Sequence, residues 1–316
     1  MKQGRFNPST NVSNWQGRSD YLKGYPGKAM SDALNGGFFG GGVSASGGTE
    51  YEYGIYKAHV FTSSGTFTIT SNPNAQKFEL LIVAGGGSSA VPSNSGGGGA
   101  GGMRTWLNGG GGTNNDAVTL ADGAYSVTIG AGGAVSSNSG SDSQFSSSTY
   151  AATGGGRGGK GWGAAADSGG SGGGGAGDNT SAQYGGSGNE GGYSPVEGYA
   201  GANSGGSWNG NSSGGGGAAG AGGQLGTTGG SDDGGLGGLA RATTITTDGT
   251  SMYFAGGGGG GNYSSASYRG GLSGFYRQDT GLLSRGGMGT GATVTNSNFA
   301  VSYTHLTLPK SDIVYN

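Results

Sequence analysis

Few residues in this chain have the type and spacing to do chemistry, and each such motif competes with a plainer reading. Gly154–Gly159 spells G-x-G-x-x-G, the turn that carries a dinucleotide pyrophosphate between a strand and a helix. Here "GGGRGG" lies inside a tract where glycine content alone produces the match, and no helix pattern follows. "GGSGG" at Gly169–Gly173 fits the G-x-S-x-G nucleophile turn. It too lacks a following helix, and the only histidine before the last stretch of chain is His59, in a strand pattern. A serine triad is therefore not expected, and with no GK[ST] there is no phosphate loop. "GGSDDGGLGG" at Gly229–Gly238 partly matches a calcium-binding repeat that works only in tandem copies, so Asp232 and Asp233 read as a solvated turn. RGG triplets at Arg157, Arg269 and Arg285 are of a kind that binds RNA. They are scattered through a chain of net charge −2, which is a poor electrostatic partner for nucleic acid. The expectation is a protein without catalysis, cofactor or metal.

Binding is the better prospect. Tyr184, Tyr193, Tyr199, Trp208, Tyr263, Tyr268, Phe275 and Tyr276 sit in the interruptions between glycine runs. Aromatic side chains on loops offer large rigid contact area at low entropic cost, so these are the candidate receptor-binding residues. The competing reading for each is that it packs over the flank of the glycine-rich body.

What must position them is unusual. Glycine supplies 84 of 316 residues, against an average near 7%. No strict G-X-Y register persists, and there are 6 prolines, which argues against a collagen helix. There is no cysteine, so neither disulfides nor thiolate chemistry enter. "MKQGRFNPSTNVSNWQGRSD" has no apolar core of a secretory signal. No apolar run approaches the roughly 18 residues of a membrane span.

Strand patterns flank the glycine. "YEYGIYKAHVFT" and "TFTIT" read as a hairpin across "SSG", followed by "KFELLIVA", whose apolar end predicts burial on both faces. "AVTLADGAYSVTI" and "TTITTDGTSMYFA" read as hairpins turning at Asp122-Gly123 and Asp248-Gly249. The hairpin groups thus fall at 53–84, 117–129 and 243–255, and the glycine tracts at 85–112, 130–238 and 256–291. Residues 1–48 read as an attachment arm, with a brief helix end at "DALNGG". The fold class predicted is mainly β and irregular, with almost no α-helix: an antiparallel β-cap of hairpins joined to polyglycine.

Glycine-serine tracts are ordinarily slack. These are too long to be structureless loops in a compact domain. "GGGRGGKGWG" and "SGGSGGGGAGD" also carry a local period of three, the repeat of polyproline II geometry. One such strand gains nothing alone. A bundle lets each N–H and C=O find a partner in a neighbour, and net bonds of about 0.5–1.5 kcal/mol each offset the glycine entropy.

"HVFTSSGTFTIT", "KFELLIVAGGG", "AYSVTIGAGG" and "SMYFAGGGGGG", in this order, resemble the glycine-rich domain of bacteriophage tail-fibre and adhesin proteins, over about Tyr53 to Gly291. The resemblance implies a β-cap on a layered sandwich of polyglycine II helices, with variable loops at the far end that touch a host receptor. Partners would be a bacterial surface receptor (an outer-membrane protein or a polysaccharide), other tail-fibre or baseplate proteins, and further copies of the chain, on a virion. The implied short closing strand would follow Ala292, where this chain has "TVTNSNFA" and then Val301–Asn316. That last stretch lacks glycine and resembles translated sequencing-adaptor read-through, so 301–316 is set aside from the fold. The alternative there is a terminal strand over "YTHLTL". Two other functions stay open: a glycine-rich extracellular structural or ice-binding protein, and an RGG-type RNA-binding protein.

Overall fold

A computed structural model describes residues 42–54, 56–89, 95–134, 138–161, 164–177, 183–204, 212–223, 234–246 and 249–261, and the backbone of 275–276, 283–284 and 303–309. Among them there is no helix, and the sheets are mostly antiparallel, as a mainly β fold requires. The brief helix expected at "DALNGG" lies outside the described residues.

Two sheets form the cap. The first has five strands: β1 (Ser44–Ser46), β4 (Gly65–Ser71), β9 (Gly123–Thr128), β10 (Ser143–Phe145) and β11 (Ser147–Ala152), in the order β1-β4-β9-β10-β11. The second has seven: β2 (Thr49–Tyr53), β3 (Tyr56–Phe61), β5 (Lys77–Val83), β6 (Met103–Leu107), β7 (Asn115–Asp116) and β16 (Tyr303–Pro309) in the order β2-β3-β16-β5-β6-β7, with β8 (Val118–Thr119) pairing β5 off this path. Phe67, Ile69, Val127 and Phe145 of the first sheet meet Phe61, Phe78, Leu80, Ile82 and Trp106 of the second in one core. Each large side chain buried there contributes about 1.5–3 kcal/mol.

Strand β5 is buried on both faces, as its apolar run predicts. Leu81 and Val83 pack with Met103, Ala218 and Ile245 in a second cluster behind the sheet. That face is closed by the returning chain beside β12 (Arg241–Thr243) and β13 (Met252–Phe254), which pair antiparallel.

Two expected hairpins need correction. The segments flanking "SSG" do not form a hairpin: β3 joins the seven-stranded sheet and β4 the five-stranded one. Alternation and turn residues fix a strand and a reversal, but here both strands need the shared core between the sheets more than each other. Asp122-Gly123 likewise separates β8, which pairs β5, from β9, which pairs β4. The boundary at 48 divides β1 from β2, although β1 pairs β4. The glycine tracts also contain strands, with β6 inside 85–112 and β10 and β11 inside 130–238.

The tail set aside in the sequence is part of a sheet. The β16 backbone pairs with β3 from Thr304↔Phe61 to Pro309↔Tyr56, and with β5 from Tyr303↔Val83 to Thr307↔Glu79. Strand addition is carried by main-chain groups, so alternating "YTHLTL" suffices to fill the lane between them.

Candidate functional site

The glycine segments continue directly from the strands as extended rows. From Gly169 to Gly175 every N–H donates to a backbone carbonyl, and successive donors turn to three sides in order. Ser171 and Gly174 donate to Ala100 and Gly97 (3.1 and 2.8 Å), Gly172 and Gly175 to Tyr199 and Ala202 (3.0 and 2.9 Å), and Gly170 and Gly173 to Gly154 and Asp167 (2.8 and 3.0 Å). Successive residues thus face three different sides, which is the three-residue repeat of a polyglycine II bundle. Side-chain-free backbone is required for this contact. A Cβ on Gly96 would overlap the Gly174 carbonyl, and one on Gly99 would overlap that of Ser171.

The hydrogen bonds also give direction. Gly96, Gly99 and Gly102 donate in turn to Gly159, Gly156 and Thr153, so the row leading into β6 runs antiparallel to the row leaving β11. Gly156 and Gly159 donate to Ser171 and Gly174, a parallel pair. Rows that leave a strand run outward and rows that feed one run inward. The row ends at 89 and 95, 134 and 138, 161 and 164, 177 and 183, 204 and 212, and 223 and 234 therefore lie together, remote from the sheets. Those ends are the candidate site.

The aromatic candidates divide between the two ends. Tyr184 begins a row beside this remote end and is 70% exposed. Tyr193 belongs to the opposite end, with the Arg104 guanidinium 3.7 Å from its ring centroid. Tyr199 lies in the same turn region and is partly exposed, its N–H donating to the Gly217 carbonyl. Trp208, Tyr263 and Tyr268 lie outside the described residues. Phe275 and Tyr276 form the short strand β14 (Phe275–Tyr276), paired with β15 (Leu283–Ser284), and nothing is described of their side chains.

Of the motif residues, Arg157 commits its guanidinium to Asp167, through Nε (2.9 Å) and a terminal nitrogen (3.0 Å). The pair holds the Asp167 carboxyl below the usual range and the Arg157 guanidinium above it. Ser171 is fully buried beside Gly198. His59 donates its Nδ1–H to the Gly47 carbonyl (2.8 Å) and packs edge-on to Phe67. Burial pushes the His59 imidazole down, so Glu50 at 3.9 Å faces a neutral ring. Ser171 and His59 thus serve different parts of the fold. Among the described residues no group of His, Cys, Asp and Glu could hold a metal ion.

Sequence reasoning missed a charged knot where sheets and rows meet. Glu197 is fully buried, and its Oε2 accepts the Thr153 N–H (2.8 Å). Arg241 donates to the Met103 (3.1 Å), Val196 (2.9 Å) and Ala218 carbonyls. Arg104 donates to Thr149 (3.1 Å) and Ala151 (2.7 Å) and lies between the Tyr193 and Trp106 rings. The available signal was a lone acid in "SPVEGYAG", where 10% of all residues are charged.

A family model described as a glycine-rich domain matches residues 62–302. The chain belongs to that family. The match spans the cap from just before β4 to the point where β16 begins, and includes every glycine row. No curated protein and no solved structure matches the chain.

Proposed function

We propose that the protein is a receptor-binding structural component of a bacteriophage tail fibre, presenting the remote ends of its glycine rows to a bacterial surface. The observation that carries this reading is that six pairs of row ends lie together at the end opposite the sheets, away from the turns at 188–198 and 218–220. Hydrogen-bonded rows form a rigid stalk, and the connections can vary in sequence without disturbing it. The motif order shared with tail-fibre and adhesin domains supports the same reading. Exposed Tyr184 supplies an aromatic anchor at that end. Weak contacts made there would be multiplied by several fibres on one particle. The partners are an outer-membrane protein or surface polysaccharide, with other fibre or baseplate proteins behind the cap.

The test is binding of fluorescently labelled protein to a panel of bacterial strains, with a salt-titrated RNA-binding assay alongside. Strain-selective surface binding that weakens when residues 178–182 and Tyr184 are replaced together by a glycine-serine linker is the expected result. Absence of binding to every strain, with salt-sensitive RNA binding instead, overturns the proposal.

A further inference from the structure

The Glu197 carboxyl occupies a position that its neighbours do not neutralise. It lies at the junction between sheets and rows, with no exposed surface. Gly102, which leads into β6, sits so close that a Cβ there would overlap Oε2. Oε2 takes the Thr153 N–H, while Oε1 has no hydrogen-bond partner. The hydrogen bonds that both nearby guanidinium groups make go to carbonyl oxygens, Arg104 to Thr149 and Ala151 and Arg241 to Met103, Val196 and Ala218, while Arg104 Nε is buried without a partner. Neither is within ion-pair distance of Glu197. A buried carboxylate with one bare oxygen and no direct counter-ion is strongly disfavoured over the neutral acid.

The charged and titratable groups facing Glu197 are few. They are Arg104 from β6 and Arg241 from β12, which in turn face Tyr193 and Tyr199 of the Glu197 segment. The other described residues against it are Gly102, Thr153, Asn189 and Gly191, none of which carries a group that titrates in the neutral range. Burial raises the Glu197 carboxyl, and the Thr153 and Gly191 groups and then Arg104 oppose that only in part.

We propose that Glu197 is carried as the neutral acid and makes the junction between sheets and glycine rows a proton-operated lock that tightens on acidification. Folding then takes up a proton at this position. Its contribution is fully present below the ordinary glutamate range and is lost as pH rises through the folded-state value. The lock therefore weakens toward neutral and alkaline pH. Buried His59 acts in the opposite sense, because the unfolded chain protonates first and stability falls as pH drops below the ordinary histidine value. A variant at Glu197 is needed to separate the two.

The experiment compares the thermal midpoint of the full chain with that of Glu197→Gln from about pH 8 to about pH 5, a span chosen to lie above ordinary carboxyl titration. The expected wild-type curve rises relative to the variant as pH falls, by about 2–4 °C for each tenfold preference in proton binding. The Gln variant, which mimics the neutral acid, matches or exceeds wild type near neutral pH. A carbon-13 titration of the wild-type Glu197 carboxyl provides the second readout and does not depend on the variant folding. Titration above the ordinary glutamate range supports the lock. Titration at or below that range, or a Gln variant weaker than wild type by the same margin at every pH, overturns it.

Discussion

The two halves of this molecule solve the same problem with opposite means. In the cap, Phe67, Phe78, Leu80 and Phe145 fill the space between two sheets, and stability comes from side chains removed from water. In the row from Gly169 to Gly175 there is almost no side chain to bury. Each backbone N–H is instead hydrogen-bonded to a carbonyl of the surrounding chain. The cap tolerates changes that conserve volume, because packing is a matter of shape and size. The rows tolerate almost no added volume, because backbone already fills the place of the side chain. A glycine that would be a weakness in β5 is a requirement at Gly99.

The widest separation between the halves is expected from Phe67→Ala, which empties a fully buried site in the cap. Its cost is about 3–5 kcal/mol by denaturant unfolding. A loss well under 1 kcal/mol would mean that the rows, and not the side-chain core, carry the stability of the cap. Next comes the same substitution at two glycines. Gly99→Ala forces a methyl into the Ser171 carbonyl and is expected to cost about 1–3 kcal/mol or more. Gly220→Ala places its methyl at ordinary contact distance, 3.6 Å from Leu239 Cβ, and is expected to be neutral or to stabilise by about 0.4–1 kcal/mol through the unfolded chain. Equal midpoints for the two variants would contradict the close-packed backbone of the rows. The smallest effect belongs to the flank. Arg157→Ala removes the ion pair with Asp167, whose side chain is 43% exposed. The expected cost is about 0.2–1 kcal/mol, shrinking in high salt, and a salt-independent cost would point to lost packing instead.

The sequence makes the cap partly legible and the rows more so than their composition suggests. Apolar alternation marked β3, β4, β5 and β9 because half-buried strands impose it, and the unbroken run at Leu80–Ala84 announced burial on both faces. Strand partners were not legible. The choice between β3 pairing β4 and each joining a different sheet depends on a core assembled from residues up to Ala152, far along the chain. The period of three around Arg157 and Ser171 pointed to rows, because each row meets its neighbours in a cycle of three. At the candidate site, composition drew attention to aromatic residues but could not tell the remote end from the junction. Tyr184 and Tyr193 look alike in sequence, and only the direction of their rows separates them. The Glu197 knot left almost no trace, since the residues gathered there, Arg104, Thr153 and Arg241, come from three distant segments.

Because each row is read by its neighbours in triplets, it has something like a reading frame. Inserting or deleting one residue between Gly96 and Gly102 would rotate every later N–H onto the wrong neighbour. A change of three would slide the same pattern along by one repeat. Length variation within rows is therefore expected in multiples of three, whereas the connections at the remote end carry no such arithmetic.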